Sequence, residues 1–263
     1  MKISFISSIL VCSFIIYNSI AQTSEKSILF DESNYSKPYQ VDYSLWNELL
    51  QNHVTEKGFV DYNGFKDDKA KLLKFTEHLE KNTPNKNWTE NQTKAYLINA
   101  YNAYTIKLVV DNYPVESIKD IGGFLSNVFK KDFINFNGKI ISLDDIEKGM
   151  LLPMGDARAH FAINCASYSC PKLDNKAYRP ENLETHLEES AEEFINSQRN
   201  IISENEVKLS KIFKWYKSDF ENQNKSVIDF INQYSNKQLK SDADIDYLDY
   251  NWQLNSKENL NNS

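Results

Sequence analysis

Glycine, proline and cysteine are all scarce here: seven, six and three among 263 residues. So few backbone breakers exclude a linker array, and no long Pro, Gly or Ser tract divides the chain. Three cysteines are too few for a disulfide-stapled scaffold. Positive charge is also in deficit, with 30 basic residues against 37 acidic ones and a net charge of −7. A nucleic-acid partner is therefore not expected, since affinity for phosphate backbones rests on lysine and arginine. Beyond the N-terminal segment no run reaches the roughly eighteen apolar residues that would span a bilayer, so no membrane span is expected in the mature protein.

What is present begins with an export signal. Met1 and Lys2 lead into an apolar stretch through Ile9, Leu10, Val11, Phe14, Ile15 and Ile16, and small residues follow at Ser19 and Ala21. That is the pattern a signal peptidase reads, with cleavage expected after Ala21. Removal of residues 1–21 takes Lys2 with it, leaving 29 basic residues against 37 acidic ones, a net charge of −8. The mature protein is then expected to be exported, either periplasmic or extracellular. It keeps only Cys165 and Cys170, and in an oxidising compartment the simplest state of such a pair is a disulfide.

Residues 22–40 are polar, without apolar periodicity, and read as a leader. A single globular domain is expected over 41–255, followed by a polar tail at 256–263. Leu45, Trp46, Leu49, Leu50 and Val54 have helical spacing. Residues 58–62 read as a short strand and 67–81 as a second amphipathic helix. Thr89 and Gln92 form a capping box that opens the most apolar helix, 90–111, which is expected to be central and buried. Pro114 stops it. Asn137-Gly138 between Phe133–Phe136 and Lys139–Ser142 is a strong hairpin signal, because both turn residues tolerate positive φ. Ser142 with Asp145 caps a short helix carrying Glu147. Residues 159–165 read as a buried strand and 181–200 as a long charged helix. Strands near 207–210 and 245–248 and a helix near 226–234 complete the pattern. The expected fold is α+β: one helix-rich domain with a buried central helix packed on a small, mostly antiparallel sheet.

Polar residues inside apolar elements carry the functional signal, because a buried amide without partners costs on the order of 1 to 3 kcal/mol. Asn99 and Asn102 share one face of the central helix, where they either knit the core or line a pocket. The densest cluster is His160-Phe161-Ala162-Ile163-Asn164-Cys165 followed by Ala166-Ser167-Tyr168-Ser169-Cys170-Pro171. An imidazole near a thiol favours the thiolate, which is what nucleophilic catalysis needs. In a regular strand, however, His160 faces with Ala162 and Asn164 while Cys165 points the other way, so the two meet only if the chain turns. Glu147 either orients the imidazole as a third member or serves as a cap or ion pair.

Taken together, these stretches resemble the family known as domain of unknown function 547. The resemblance rests on Gly58-Phe59-Val60-Asp61-Tyr62, Leu97-Ile98-Asn99-Ala100-Tyr101-Asn102-Ala103, Leu143 to Glu147, His160 to Pro171, Leu209 to Asp219 and Tyr247 to Asn255. It spans nearly the whole mature chain and singles out Asn99, Asn102, Glu147, His160, Cys165, Cys170 and Pro171 as motif positions without assigning them roles. Tyr250-Asn251-Trp252 departs from the pattern, which carries an Asp before the Trp, and Leu97 stands where many relatives have tryptophan.

Two function classes stay open. In the first, the chain is a binding or accessory domain in which a Cys165–Cys170 disulfide adjoins a pocket of His160, Glu147, Asn99, Asn102 and Asn164. Its partner would be a small molecule or peptide. In the second, it is a thiol-dependent hydrolase or acyl transferase with Cys165 or Cys170 as nucleophile and His160 as base. A metal site of His160, Cys165 and Cys170, with His186 recruited, lacks the paired ligand spacing of zinc modules, so no metal is expected. No phosphate-cradling loop, dinucleotide fingerprint, zinc-protease helix or nucleophile-elbow serine is present, and no cofactor is expected. Thiol–disulfide exchange would use a pair with four intervening residues rather than the two of the common dithiol motif.

Overall fold

Chain direction and hydrophobic spacing first show themselves in α1 (Ser44–His53), whose inner face buries Trp46, Leu49 and Leu50. A computed structural model describes residues 38–122, 127–203, 206–222 and 224–262. The expected signal segment 1–21 and the leader through residue 37 lie outside the described residues. Trp46 stacks on Phe75 at 5.5 Å between ring centroids, joining α1 to α3 (Lys69–Lys81) across the short α2 (Tyr62–Asp67).

The central helix is α4 (Glu90–Asn112), opened by the expected capping box: Thr89 Oγ1 accepts from the Gln92 amide, and Gln92 Oε1 accepts from the Thr89 amide. Residues all round it are buried, from Lys94 to Val110. A helix apolar on every side must be enclosed by neighbours, and α2, α3 and the later helices supply them. The short α5 (Ile118–Gly122) precedes a hairpin of β1 (Ile134–Phe136) and β2 (Lys139–Ile141), which pair antiparallel through Asn137 and Gly138, both at positive φ. Phe136 meets Tyr96 of α4 edge to face, so the hairpin closes one side of the helix.

Ser142 and Asp145 cap each other as the spacing implies and start α6 (Asp145–Leu151), a wide π-helical turn that buries Glu147. Turns of this kind re-aim side chains and recur at functional sites. Next comes α7 (Ala159–Ala162), then α8 (Leu183–Asn196) with Leu183, Leu187, Ala191, Phe194 and Ile195 on its buried face. A second sheet has β3 (Ile201–Ile202) antiparallel to β4 (Val207–Leu209), and β4 parallel to β5 (Asp246–Tyr247). Between β4 and β5 lie α9 (Lys211–Trp215), α10 (Lys217–Glu221) and α11 (Val227–Tyr234). The architecture is α+β, mostly helical with small, mainly antiparallel sheets.

Two expected strands are different in the structure. At 58–62 only Val60 makes bridges, to Val54 and Ser256, because the Asp61 carboxylate accepts from the Gly64 amide and begins a helix there. At 159–165 a turn of helix replaces the first half of the strand. Asp156 accepts from the Arg158 amide through its side chain and from the Ala159 amide through its carbonyl, so the chain is coiled before it reaches His160. At the domain's C-terminal edge Asn255 is buried, and at the start of the polar tail Ser256 is buried and the Lys257 amide donates to the Val60 carbonyl.

Two hydrophobic clusters result, one around α1 to α4 and one around α8 to α11. The segment through α7 feeds both. Phe161 belongs to the second cluster, while Ala162 and Ile163 belong to the first. Whatever follows Ile163 is thus anchored at the seam between them.

Gly58 shows how tightly that seam is built. At φ +80°, a Cβ placed there would lie 2.3 Å from Lys172 Cβ and 2.8 Å from its Cα. Gly58→Ala is expected to lower stability by about 2 kcal/mol or more, combining left-handed strain with a clash against backbone. A thermal melt of the variant checks this, and an unchanged midpoint would mean the seam yields easily.

Candidate functional site

The segment 160–171 is shaped by asparagines. Asn102, on α4, donates to the Ala162 carbonyl (2.9 Å) and accepts from the Asn164 amide (2.8 Å), taking the place of a neighbouring strand at the point where α7 ends. Asn164 then donates to the Pro171 carbonyl (2.7 Å) and accepts from the Ala166 amide (2.8 Å), drawing the two ends of the thiol loop together. Ala166 takes a positive φ of 60°, and the Cys170 amide donates to the Ser167 carbonyl, closing the turn. From outside, the Tyr168 amide donates to the Gln253 carbonyl, and Arg199 donates to the Tyr168 carbonyl.

This turn folds Cys170 back onto Cys165. Both are free thiols, with Sγ atoms 2.8 Å apart and the Cys165 amide donating to Cys170 Sγ at 3.0 Å. The expected disulfide is not closed in this structure. Cys165 is half-buried and Cys170 buried. Cys165 Sγ also lies 3.2 Å from Ser167 Oγ and 3.4 Å from the Tyr250 hydroxyl, which are themselves joined at 2.8 Å. Hydrogen bonding to the Cys170 thiol is the largest influence on Cys165. With help from Ser167 and Tyr250 it outweighs burial and brings the Cys165 thiol down to about 7. Burial, reinforced by the neighbouring Cys165 sulfur, pushes Cys170 well up. Tyr250→Phe is expected to move the pH midpoint of Cys165 alkylation upward, since it removes a donor to the thiolate. A midpoint that stays in place would show that Tyr250 is a bystander.

The thiols line a cleft of about 190 Å³ that His160 and Glu147 also line, with Trp215, Tyr216, Tyr250 and Trp252 among its walls. His160 is buried, and its Nε2 lies 2.9 Å from Asp219 Oδ2 on α10. That hydrogen bond holds the Asp219 carboxyl below its usual range. The ring of Tyr216 packs on the imidazole at 4.1 Å between centroids, and its hydroxyl donates to Glu147. Glu147 therefore reaches the imidazole only through Tyr216, and the carboxylate in direct contact with the ring is that of Asp219. The hydrogen-bond partners of Cys165 are Cys170, Ser167 and Tyr250, and His160 is not among them.

His160, Cys165, Cys170 and Glu147 thus converge on one cleft, while the three asparagines do not line it. Asn99 donates to the Ala95 and Tyr178 carbonyls and accepts from the Tyr178 amide, fixing α4 to the segment before α8. Asn102 and Asn164 shape the thiol loop. His186 is bound to Asp174 at 2.8 Å and stacks on Tyr178. Among the described residues no cluster of three or more His, Cys, Asp or Glu is arranged to hold a metal ion.

Composition and spacing gave no hint of Tyr216, Asp219 and Tyr250. Asp219 looks like one acid among many, and the two tyrosines look like core aromatics. Their one signal is that they fall in the stretches Leu209 to Asp219 and Tyr247 to Asn255, which carry the family resemblance.

Comparison with known families agrees with that resemblance: residues 85–195 match the family model described as "Protein of unknown function, DUF547". The matched stretch contains Asn99, Asn102, Glu147, His160 and both thiols, and ends before Tyr216, Asp219 and Tyr250. No curated protein and no solved structure matches the chain. No described helix is long and apolar enough to cross a membrane.

Proposed function

We propose that this chain, which belongs over residues 85–195 to the DUF547 family, is a thiol-dependent enzyme of the hydrolase or acyl-transferase kind. Cys165 is the nucleophile and acts on a small molecule or peptide group seated against the aromatic wall of the cleft. The observation that carries this is the setting of Cys165. Its sulfur is half-buried on the cleft beside the Cys170 thiol and the paired Ser167 and Tyr250 hydroxyls, which together lower its pKa. Structural cysteines are instead buried in apolar surroundings that suppress reactivity.

On this reading the Cys165 thiolate attacks a carbonyl, and its own lowered pKa removes the need for a base in direct contact. His160, held by Asp219, delivers a proton to the leaving group across the cleft. Trp215, 48% exposed, and Trp252 stack at 5.9 Å and offer a flat apolar surface to the substrate. Nothing in the reading requires a cofactor or a nucleic-acid partner. The protein acts outside the cytoplasm, in a periplasm or beyond the cell, after cleavage behind Ala21.

A second reading, a binding or accessory domain with Cys165 and Cys170 joined as a disulfide, draws on the contact of the two sulfurs at 2.8 Å. The test is a mass measurement on protein purified from an oxidising compartment and alkylated under denaturing conditions without reductant. Labelled thiols, together with turnover of thioester, amide or peptide substrates that His160→Ala lowers about 10²- to 10⁴-fold, support the enzyme. An unlabelled protein two protons light would favour the binding domain. The same spectrum reads the N-terminus, and a mass that includes residues 1–21 would overturn cleavage.

A further inference from the structure

We propose that Cys165 and Cys170 also form a thiol–disulfide exchange centre, in which Cys165 attacks a small organic disulfide in the cleft and Cys170 resolves the mixed disulfide. This activity shares Cys165 with the acyl-transfer reading but stands or falls separately, because it alone requires the second sulfur to form a covalent bond.

The two thiols are unequal in the way such chemistry needs. Cys165 is half-buried and lines the cleft, whereas Cys170 is only 4% exposed. An incoming disulfide therefore meets Cys165 first. Cys170 Sγ waits 2.8 Å behind it and accepts from the Cys165 amide, a donor that steadies negative charge on the resolving sulfur. The turn that sets this separation is closed across its ends by Asn164 to Pro171 and held at its tip by Tyr168 to Gln253. Closing to the roughly 2.05 Å of a disulfide takes less than an ångström of motion. Acyl transfer would use the Cys170 thiol only as a hydrogen-bonding neighbour, whereas here the Cys165 amide is committed to that sulfur instead of to a developing oxyanion.

The atoms balance as follows. The Cys165 thiolate forms a bond to one sulfur of R–S–S–R, and the other sulfur leaves as RS⁻. The Cys170 thiol gives its proton to that RS⁻, producing RSH. Its sulfur then attacks Cys165 Sγ and expels the second RS⁻. Two electrons pass from the dithiol to the substrate, and an external thiol reductant restores the pair. With Trp215, Tyr250 and Trp252 on the wall and a volume of about 190 Å³, the favoured R group is planar and apolar.

The probe is dithiodipyridine, mixed with the reduced mature protein and followed by thiopyridone absorbance and quenched mass spectrometry. The wild type is expected to release two thiopyridones per chain and finish without label, two hydrogens lighter. Cys170→Ser should release one and keep one thiopyridyl group in a mixed disulfide. Cys165→Ser should react at least about 100-fold more slowly, since the remaining thiol is buried. A wild type that ends with two labels, or a Cys165→Ser variant as fast as the wild type, overturns the proposal. Circular dichroism establishes that each variant folds. Should Cys170→Ser fail, the wild-type time course decides: a singly labelled species that rises and decays supports resolution by Cys170, and one that accumulates refutes it. Failure of acyl substrates to turn over leaves every one of these outcomes readable.

Discussion

Cys165→Ser is expected to abolish turnover, by a factor on the order of 10⁴ or more, while the folded protein persists. Removal of a covalent nucleophile leaves only binding and electrostatic assistance, and these rarely restore more than a small part of the rate. The fold should survive because serine keeps a hydroxyl in reach of Ser167 and Tyr250, and the loop is held by its backbone and asparagines rather than by the sulfur. The wild type offers a companion measurement. With the Cys165 thiol brought down to about 7, a substantial share is thiolate at neutral pH. The rate of alkylation in the native state should therefore level off within about a unit above that pH and approach a tenfold fall for each unit well below it. Lowering the pKa places the loss of reactivity on the acid side, so a rate still climbing steeply between pH 8 and 9 would show an ordinary thiol. Peptide mapping should find the first label on Cys165, because Cys170 is both buried and pushed up.

The fold was legible in proportion to how local its signals are. The capping box at Thr89 and Gln92, the Asn137-Gly138 turn and the Ser142–Asp145 cap each act within four residues, and each stands where the spacing puts it. The segment 159–165 was harder. An apolar run of that length suits a buried strand or a buried helical turn equally well. The deciding contacts come from Asp156 just before it and from Asn102, some sixty residues earlier. The site divides in the same way. The thiols and His160 lie within eleven residues and announce themselves by type. Asp219, Tyr216 and Tyr250 arrive from α9 to β5 and beyond, and no periodicity relates them to His160. Asn99 and Asn102 illustrate the opposite limit, since a buried amide is visible as an anomaly but its partners are not. Their partners prove to be backbone groups of Tyr178, Ala162 and Asn164.

Asn164→Ala should be the most damaging single change to stability in the site. It deletes a donor to the Pro171 carbonyl and an acceptor for both the Ala166 amide and the Asn255 side chain. Asn255 in turn accepts from the Tyr62 hydroxyl at 2.7 Å, so the loss reaches α2. All of these groups are buried, where a missing partner is not replaced by water. At about 1 kcal/mol for each of the three bonds, the expected cost is roughly 3 kcal/mol, rising if the orphaned groups stay dry. Urea unfolding of the reduced protein measures it. Asn164→Asp is the sharper control, because a carboxylate can still accept from Ala166 and Asn255 but cannot donate to Pro171. Most of the loss should therefore be recovered if acceptance dominates, and little if the bond to Pro171 is what closes the loop. Function should fail before the fold does. With its ends released, the turn no longer holds Cys170 against Cys165, and the thiol midpoint should drift upward in Asn164→Asp even where the protein remains folded. A variant that is destabilised yet keeps a midpoint near 7 would separate the two roles and show that Ser167 and Tyr250 alone hold the thiol low.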